Sequence, residues 1–149
     1  MITYPTSTMT ATFDHEKLTV YQRAIDFAKW VPAPLAKIPK SAALWNQLDR
    51  AATSIPLNIA EGNGKWTAKD RSRFCDIAKG SALECGAILD VGVARAYLTT
   101  DDSDQGKSIL LEIVRMLIGL IKSNTPDRDI EKGSLTIGEQ TPPESNTTY

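Results

Sequence analysis

The sequence predicts an all-α chain, and three observations carry that prediction. Apolar residues recur at helical spacing in four separate stretches. The stretches are divided by Pro, Gly, Ser and Thr positions of the kind that stop helices. At 149 residues the chain is long enough to bury the core of one domain.

Residues 1–13 are rich in Thr and Ser and lack helical periodicity, so they read as a mobile arm outside the folded domain. Asp14 is the expected N-cap of the first helix. Its apolar stripe is Leu18, Tyr21, Ala24, Ile25, Ala28 and Val31. Pro32 and Pro34 should kink or end that helix. Pro39 and Lys40 then make a turn, and Ser41 is placed to cap the second helix.

The second helix is the most structured reading in the chain. Leu44, Leu48, Ala51, Ile55 and Ile59 share one face, and Gln47, Arg50, Ser54, Asn58 and Glu61 form a polar stripe beside it. Pro56 lies inside the pattern, where it removes a helix hydrogen bond and predicts a kink. Gly62 and Gly64 predict a left-handed C-cap and a turn.

A third helix should open at Thr67 with Asp70 completing a capping box, Asp standing in for the usual Glu or Gln. Phe74, Ile77, Ala78, Ser81, Cys85, Ile88, Gly92 and Ala96 trace one face. Gly80, Gly86 and Gly92 lie in its interior, where each costs about 1 kcal/mol against Ala. Either another helix approaches closely there, or the small residues tune packing inside a single bundle.

After Thr99 and Thr100, Asp101 to Ser103 restart the chain as a fourth helix, with Ile109, Ile113, Met116 and Leu120 toward the core. Leu110, Leu111, Val114, Leu117, Ile118 and Ile121 widen its apolar surface beyond the stripe of about 100° that a surface helix needs. Leu111, Val114 and Ile118 are surplus to a monomer core, which marks them as an oligomer interface. Asn124 and Pro126 end the helix, and residues 124–149 read as an acidic, disordered tail. The folded domain therefore spans residues 14–123.

The formal charge of −1 hides an asymmetry: residues 14–123 carry a balance of +2 and the tail −3. Neither is the strongly basic signature of a dedicated nucleic-acid module, so binding to nucleic acid must rest on local clustering. Cys75 and Cys85, ten residues apart on one helix, are separated by about 15 Å, too far for a disulfide. They are expected as reduced thiols. With no signal-peptide pattern and no apolar run long enough to span a membrane, the expected location is the cytoplasm.

A family resemblance joins these readings. Ser54-Ile55-Pro56-x-Asn58-Ile59-Ala60-Glu61-Gly62-x-Gly64-Lys65 is followed by Asp70-x-x-Arg73-Phe74-x-x-Ile77-Ala78-x-Gly80-Ser81-x-x-Glu84. Upstream stands Leu18-x-Val20-Tyr21-Gln22-x-Ala24, and downstream Met116-Leu117-x-Gly119-Leu120-Ile121. Over roughly residues 14–123 this resembles the 23S rRNA-intervening-sequence proteins, also called four-helix bundle proteins. The resemblance implies an antiparallel up-down four-helix bundle, commonly a ring-shaped homopentamer. It is also similar to the accessory variability determinant proteins of diversity-generating retroelements, which bind RNA and a reverse transcriptase. Two features depart from the family pattern: the Pro32/Pro34 pair, and Asp49, where relatives commonly carry Arg.

Little in the chain suggests catalysis. His15 is the one histidine, there is no Glu-x-x-His pair for a di-metal site, and the cysteines lack metal spacing. Gly62-x-Gly64 lacks the third glycine of a dinucleotide loop and the Gly-Lys-Ser/Thr of a phosphate loop. Glu61 and Glu84 could be imagined as an acid–base pair, but a Glu61–Arg73 bridge holding the corner between helices two and three is the simpler reading. Pro56, Asn58, Glu61, Gly62, Gly64, Asp70 and Glu84 are accordingly read as architecture, with no metal, no cofactor and no enzymatic role.

The one basic cluster with an aromatic inside it is Lys65, Trp66, Lys69, Arg71 and Arg73. Lys and Arg neutralise phosphates, and Trp stacks on an unpaired base. The sequence thus points to an oligomeric, non-enzymatic bundle that binds RNA or an RNA-handling protein such as a reverse transcriptase or ribosomal component. A protein-interaction scaffold without nucleic-acid binding is the alternative.

Overall fold

The 3-10 turn Asp14–Lys17 leads into α1, Thr19–Trp30, in a computed structural model that describes residues 12–125. Four further helices follow: α2 Pro32–Lys37, α3 Ala43–Asn63, α4 Ala68–Ala94 and α5 Thr100–Asn124. α3 packs on α4, α4 on α5, and α1 against both α3 and α5, so the long helices form a four-membered ring around one core. α1 and α2 together make the first arm of this four-helix bundle. The predicted all-α class and four-helix bundle are what the described residues show. The expected N-terminal arm, apart from residues 12 and 13, and the tail beyond residue 125 lie outside them.

The break in the first arm falls where the prolines place it. α1 stops at Trp30, and Pro32 occupies the first turn of α2, where its missing N–H costs nothing. Other expectations need correction. Asp14 does not cap the first long helix; it begins the 3-10 turn, and Leu18 precedes Thr19 with no side-chain cap. Ser41 does not cap α3, which starts after Ala42. The buried face of α1 is Val20, Ala24 and Phe27, continuing to Val31, while Tyr21, Ile25 and Ala28 are half-buried.

α3 runs without interruption through the buried Pro56. The expected left-handed cap is absent: Gly64 is right-handed at φ −82°, and no described glycine has positive φ. What Gly62 provides is proximity, since a Cβ there would lie 2.7 Å from the Cβ of Phe74 on α4. Left-handed backbone occurs instead at Ala96 (φ 61°), beyond the end of α4. There the N–H groups of Tyr97 and Leu98 both donate to the carbonyl of Gly92, closing the helix. Ala96 therefore belongs to a turn and not to the apolar face of α4, and Ile77 on that helix is exposed.

α5 opens with a complete capping box. Asp102 N–H donates to Thr99 Oγ1 at 3.1 Å, and Thr99 N–H to Asp102 Oδ2 at 2.9 Å. Lys37 Nζ also reaches both Asp102 oxygens at 2.8 Å, tying α2 to α5. That ammonium first, and the Thr99 N–H second, hold the Asp102 carboxyl below its ordinary value. The core of α5 is Leu110, Ile113, Val114, Leu117 and Ile121, whereas Ile109, Met116 and Leu120 are half-buried. Val114, expected at an oligomer interface, is 7% exposed and belongs to the core of the subunit.

Candidate nucleic-acid interface

The α3–α4 corner is built around Arg71. Its Nε donates to Asn124 Oδ1 at 3.0 Å, and its Nη1 to the carbonyls of Lys65 at 3.2 Å and Trp66 at 2.9 Å. One guanidinium thereby fixes the turn backbone and pins the end of α5 beside it. Thr67 Oγ1 accepts from Asp70 N–H at 3.1 Å and starts α4. Trp66, between these two anchors, is 96% exposed.

Phe74 organises the remaining cations. Lys65 Nζ lies 5.0 Å and Arg73 Cζ 4.6 Å from its ring centroid. Both are within cation–π range of the ring. The Glu61–Arg73 bridge is not formed: Glu61 instead meets Lys65, one turn on, at 3.8 Å. Exposed Lys69 lies on the first turn of α4. Of the five predicted nucleic-acid residues, then, Trp66 is open to solvent, Lys65 meets Glu61 and the Phe74 ring, Arg73 meets the same ring, and Lys69 is exposed. Arg71 is committed to holding the backbone that carries them.

Along α3 and α4 runs an open groove of about 590 Å³, bordered by Gln47, Arg50, Leu57, Asn58, Glu61 and Glu84. Its floor is a polar ladder. Asn58 Nδ2 donates to the Ser54 carbonyl at 2.8 Å and to Ser54 Oγ at 2.9 Å. Ser54 Oγ shares a hydrogen bond with Ser81 Oγ across the helix pair at 2.8 Å. Glu84 at the groove wall is exposed, with no ion pair among the described residues.

Groups suited to catalysis do not converge here. No cluster of three His, Cys, Asp or Glu side chains able to hold a metal occurs among the described residues. Cys75 and Cys85 are free and buried; burial chiefly, with Glu84 adding to it, pushes the Cys85 thiol up to about 12. Such a thiol is inert at neutral pH. His15 packs between Phe13 and Tyr21, with ring centroids at 5.6 and 4.7 Å. No described helix is long and apolar enough to cross a membrane.

Sequence reasoning missed the role of Arg71. Two of its acceptors are backbone carbonyls and the third, Asn124, lies 53 residues away, so no local pattern announces it. It missed Ser81 as the partner of Ser54 for the same reason.

No curated protein matches the chain. Among solved structures, a protein of unknown function from the S23 ribosomal protein family of Bacteroides thetaiotaomicron VPI-5482 is 25% identical. The match covers 69% of this chain and 98% of that one, with a TM-score of 0.64. The family model for the 23S rRNA-intervening sequence protein matches residues 16–119, which takes in α1, α3 and α4 whole and α5 as far as Gly119. The chain belongs to the 23S rRNA-intervening sequence protein family.

Proposed function

We propose that this chain is a non-enzymatic, oligomeric bundle of the cytoplasm that binds single-stranded or structured RNA at the α3–α4 corner. The observation that carries the reading is Trp66, almost fully exposed on a turn whose carbonyls Arg71 hydrogen-bonds, with Lys65 next to it in sequence and Lys69 and Arg73 on the first two turns of α4. An exposed indole raises the aggregation risk of a free surface, whereas one flanked by cations suits a base stacked beside its phosphates. In this reading Trp66 stacks, the three cations meet phosphate, and Arg71 positions them all. The similarity to proteins named for ribosomal RNA agrees with RNA as the ligand.

One corner alone is a weak site. Three phosphate contacts on a single strand give a slope of roughly −2 in log K against log salt, or about a twentyfold loss from 50 to 200 mM. Repeating the corner around a homo-oligomer, a pentamer in the reading offered here, raises avidity by about 10²–10⁴ when one RNA spans several copies. Residues 14–123 form the binding domain, and the acidic tail beyond Asn124 competes with RNA for the corner.

The test is anisotropy titration of labelled RNA at 50 and 200 mM salt. Trp66→Ala is expected to weaken binding about tenfold or more, from lost stacking of ~1–3 kcal/mol. The Lys65/Lys69/Arg73→Ala variant should flatten the salt slope, and truncation after Thr125, which keeps Asn124 on Arg71, should tighten binding. Equal affinity of wild type and both corner variants would remove the corner from the account. Absence of binding by any of them at low salt would favour a scaffold that binds protein alone.

A further inference from the structure

Trp66 is not the only open ring in the molecule. Phe13 is 72% exposed, and no other aromatic side chain among the described residues is exposed to a comparable degree. Phe13 is nevertheless held in place. Its N–H donates to Glu16 Oε2 at 2.8 Å, and its carbonyl accepts from Glu16 N–H at 3.1 Å. Its ring lies parallel to that of His15, with 8° between the planes and 5.6 Å between centroids. His15 in turn meets the half-buried Tyr21 edge-on at 4.7 Å. The result is a layered aromatic stack, rooted in α1, whose outermost ring is Phe13.

Helix register places this stack at the same end of the bundle as the α3–α4 corner. Arg23 Nε donates to Glu112 Oε2 at 2.6 Å and Trp30 Nε1 to Gln105 Oε1 at 3.4 Å, so α1 and α5 run antiparallel, residue for residue. Continued backwards, the register brings the 3-10 turn level with the last turns of α5, where Arg71 of the corner holds Asn124. The 3-10 turn also packs on α3, whose end leads into Lys65 and Trp66. α1 and α4 stand diagonally in the ring of four helices. Neighbouring axes about 8–10 Å apart make that diagonal roughly 14 Å. The charges of the two places differ. The turn carries Asp14 and Glu16 against Lys17, so it offers a nucleic acid a ring face and not phosphate neutralisation. Phosphates are left to the corner.

We infer that Phe13 is a second stacking platform, and that the RNA held at the corner is a single strand crossing this end of the bundle, one unpaired base on Trp66 and another on Phe13. This rests on the RNA reading above and narrows its ligand to an unpaired strand. A base laid on Phe13 continues a stack that the fold has already built, so the ring loses little freedom on binding. A duplex cannot serve, because its bases are stacked on one another and offer edges instead of faces.

The experiment is anisotropy at low salt with labelled, unstructured RNA of about 4 and about 12 nucleotides, lengths that bracket common single-strand sites. Phe13→Leu removes the π-face but keeps an apolar side chain and both backbone hydrogen bonds, and circular dichroism checks its helicity. It should weaken the longer strand about fivefold or more, the loss expected of one base stack, and leave the shorter strand within about twofold. Phe13→Trp should bind the longer strand as wild type does. The longer strand annealed to its complement should be indifferent to Phe13→Leu. Equal loss on both lengths would make Phe13 a prop of the fold, and loss on neither would remove it from the interface. Either result overturns this inference and leaves the corner to be judged by its own variants. So does failure of Phe13→Trp to bind, or equal loss on the duplex. No binding of any of these RNAs overturns the RNA reading and this inference with it.

Discussion

At Gly62 a Cβ would lie 2.7 Å from the Cβ of Phe74, whereas at Gly80, six residues beyond Phe74 on α4, it would meet nothing within 4 Å among the described residues. The charges repeat the contrast. Arg71 at the corner makes three hydrogen bonds and Asp102 at the far end of the bundle meets Lys37 and Thr99, while Glu84 has no ion pair among the described residues. Where glycine is forced by a close approach, the chain is fitting itself. Where glycine costs helix stability over open space, no packing contact among the described residues accounts for it.

Gly62→Ala should produce the largest loss of stability. The atom it would strike is a Cβ, fixed to the α4 backbone, so the two helices must separate instead of a side chain turning away. Overpacking of this kind costs about 2 kcal/mol even after the gain in helix propensity. Urea denaturation should show a lower midpoint with an unchanged slope. A stable Gly62→Ala protein would mean that the α3–α4 corner yields more easily than its geometry says.

Arg71→Ala comes next, at roughly 1–2 kcal/mol, because it strands two carbonyls and Asn124 near a half-buried corner. Arg71→Lys should rescue little, since one ammonium cannot span the fork that reaches α5 and the turn together. Fraying of the α5 end, seen as faster amide exchange at Ser123 and Asn124, is the specific signature. Equal exchange in wild type and variant would assign the corner's rigidity elsewhere.

Asp102→Asn should cost about 1 kcal/mol at pH 7, the worth of a cap with a partly exposed ion pair. Its carboxyl is depressed in the fold, so its contribution is present above the unfolded value near 3.8 and is lost as pH falls through the lower folded value. Wild type and variant should therefore differ most in melting temperature above about pH 5 and draw together as pH falls below 3.8. Glu84→Gln should stay within about 0.5 kcal/mol at either pH in the isolated subunit.

The helices themselves were legible because their periodicity and stops are local. Pro32 broke the first arm and Thr67 opened α4, whereas α5 is capped by Thr99 and starts at Thr100, just ahead of the expected Asp101. Phase was less legible. On α1, Val20 and Phe27 are core while Tyr21 and Ile25 are half-buried, and all four are apolar enough to swap by one position. On α5, apolar residues cover over half the circumference, so only packing against α1 and α4 separates buried Val114 from exposed Leu111. In the candidate site, Trp66 and its cations were legible as composition. The division between presenting and positioning residues was not, because Arg71 spends its charge on groups distant in sequence or on backbone.

The smallest effect has the opposite sign. Gly80→Ala adds a methyl to empty space on the subunit and should raise its stability by roughly 0.5–1 kcal/mol. That gain belongs to the isolated chain. If a second copy covers Gly80, the same methyl intrudes on the contact, so the sign of the change depends on protein concentration. Melting temperatures compared at nanomolar and at tens of micromolar protein should show stabilisation in dilute solution that shrinks or reverses when concentrated. Gly119→Ala should follow the same pattern, because its Cβ space is equally empty. A constant gain at both concentrations would leave the outer face of α4 facing water, and the contrast with Gly62 would then be one of packing inside the subunit only.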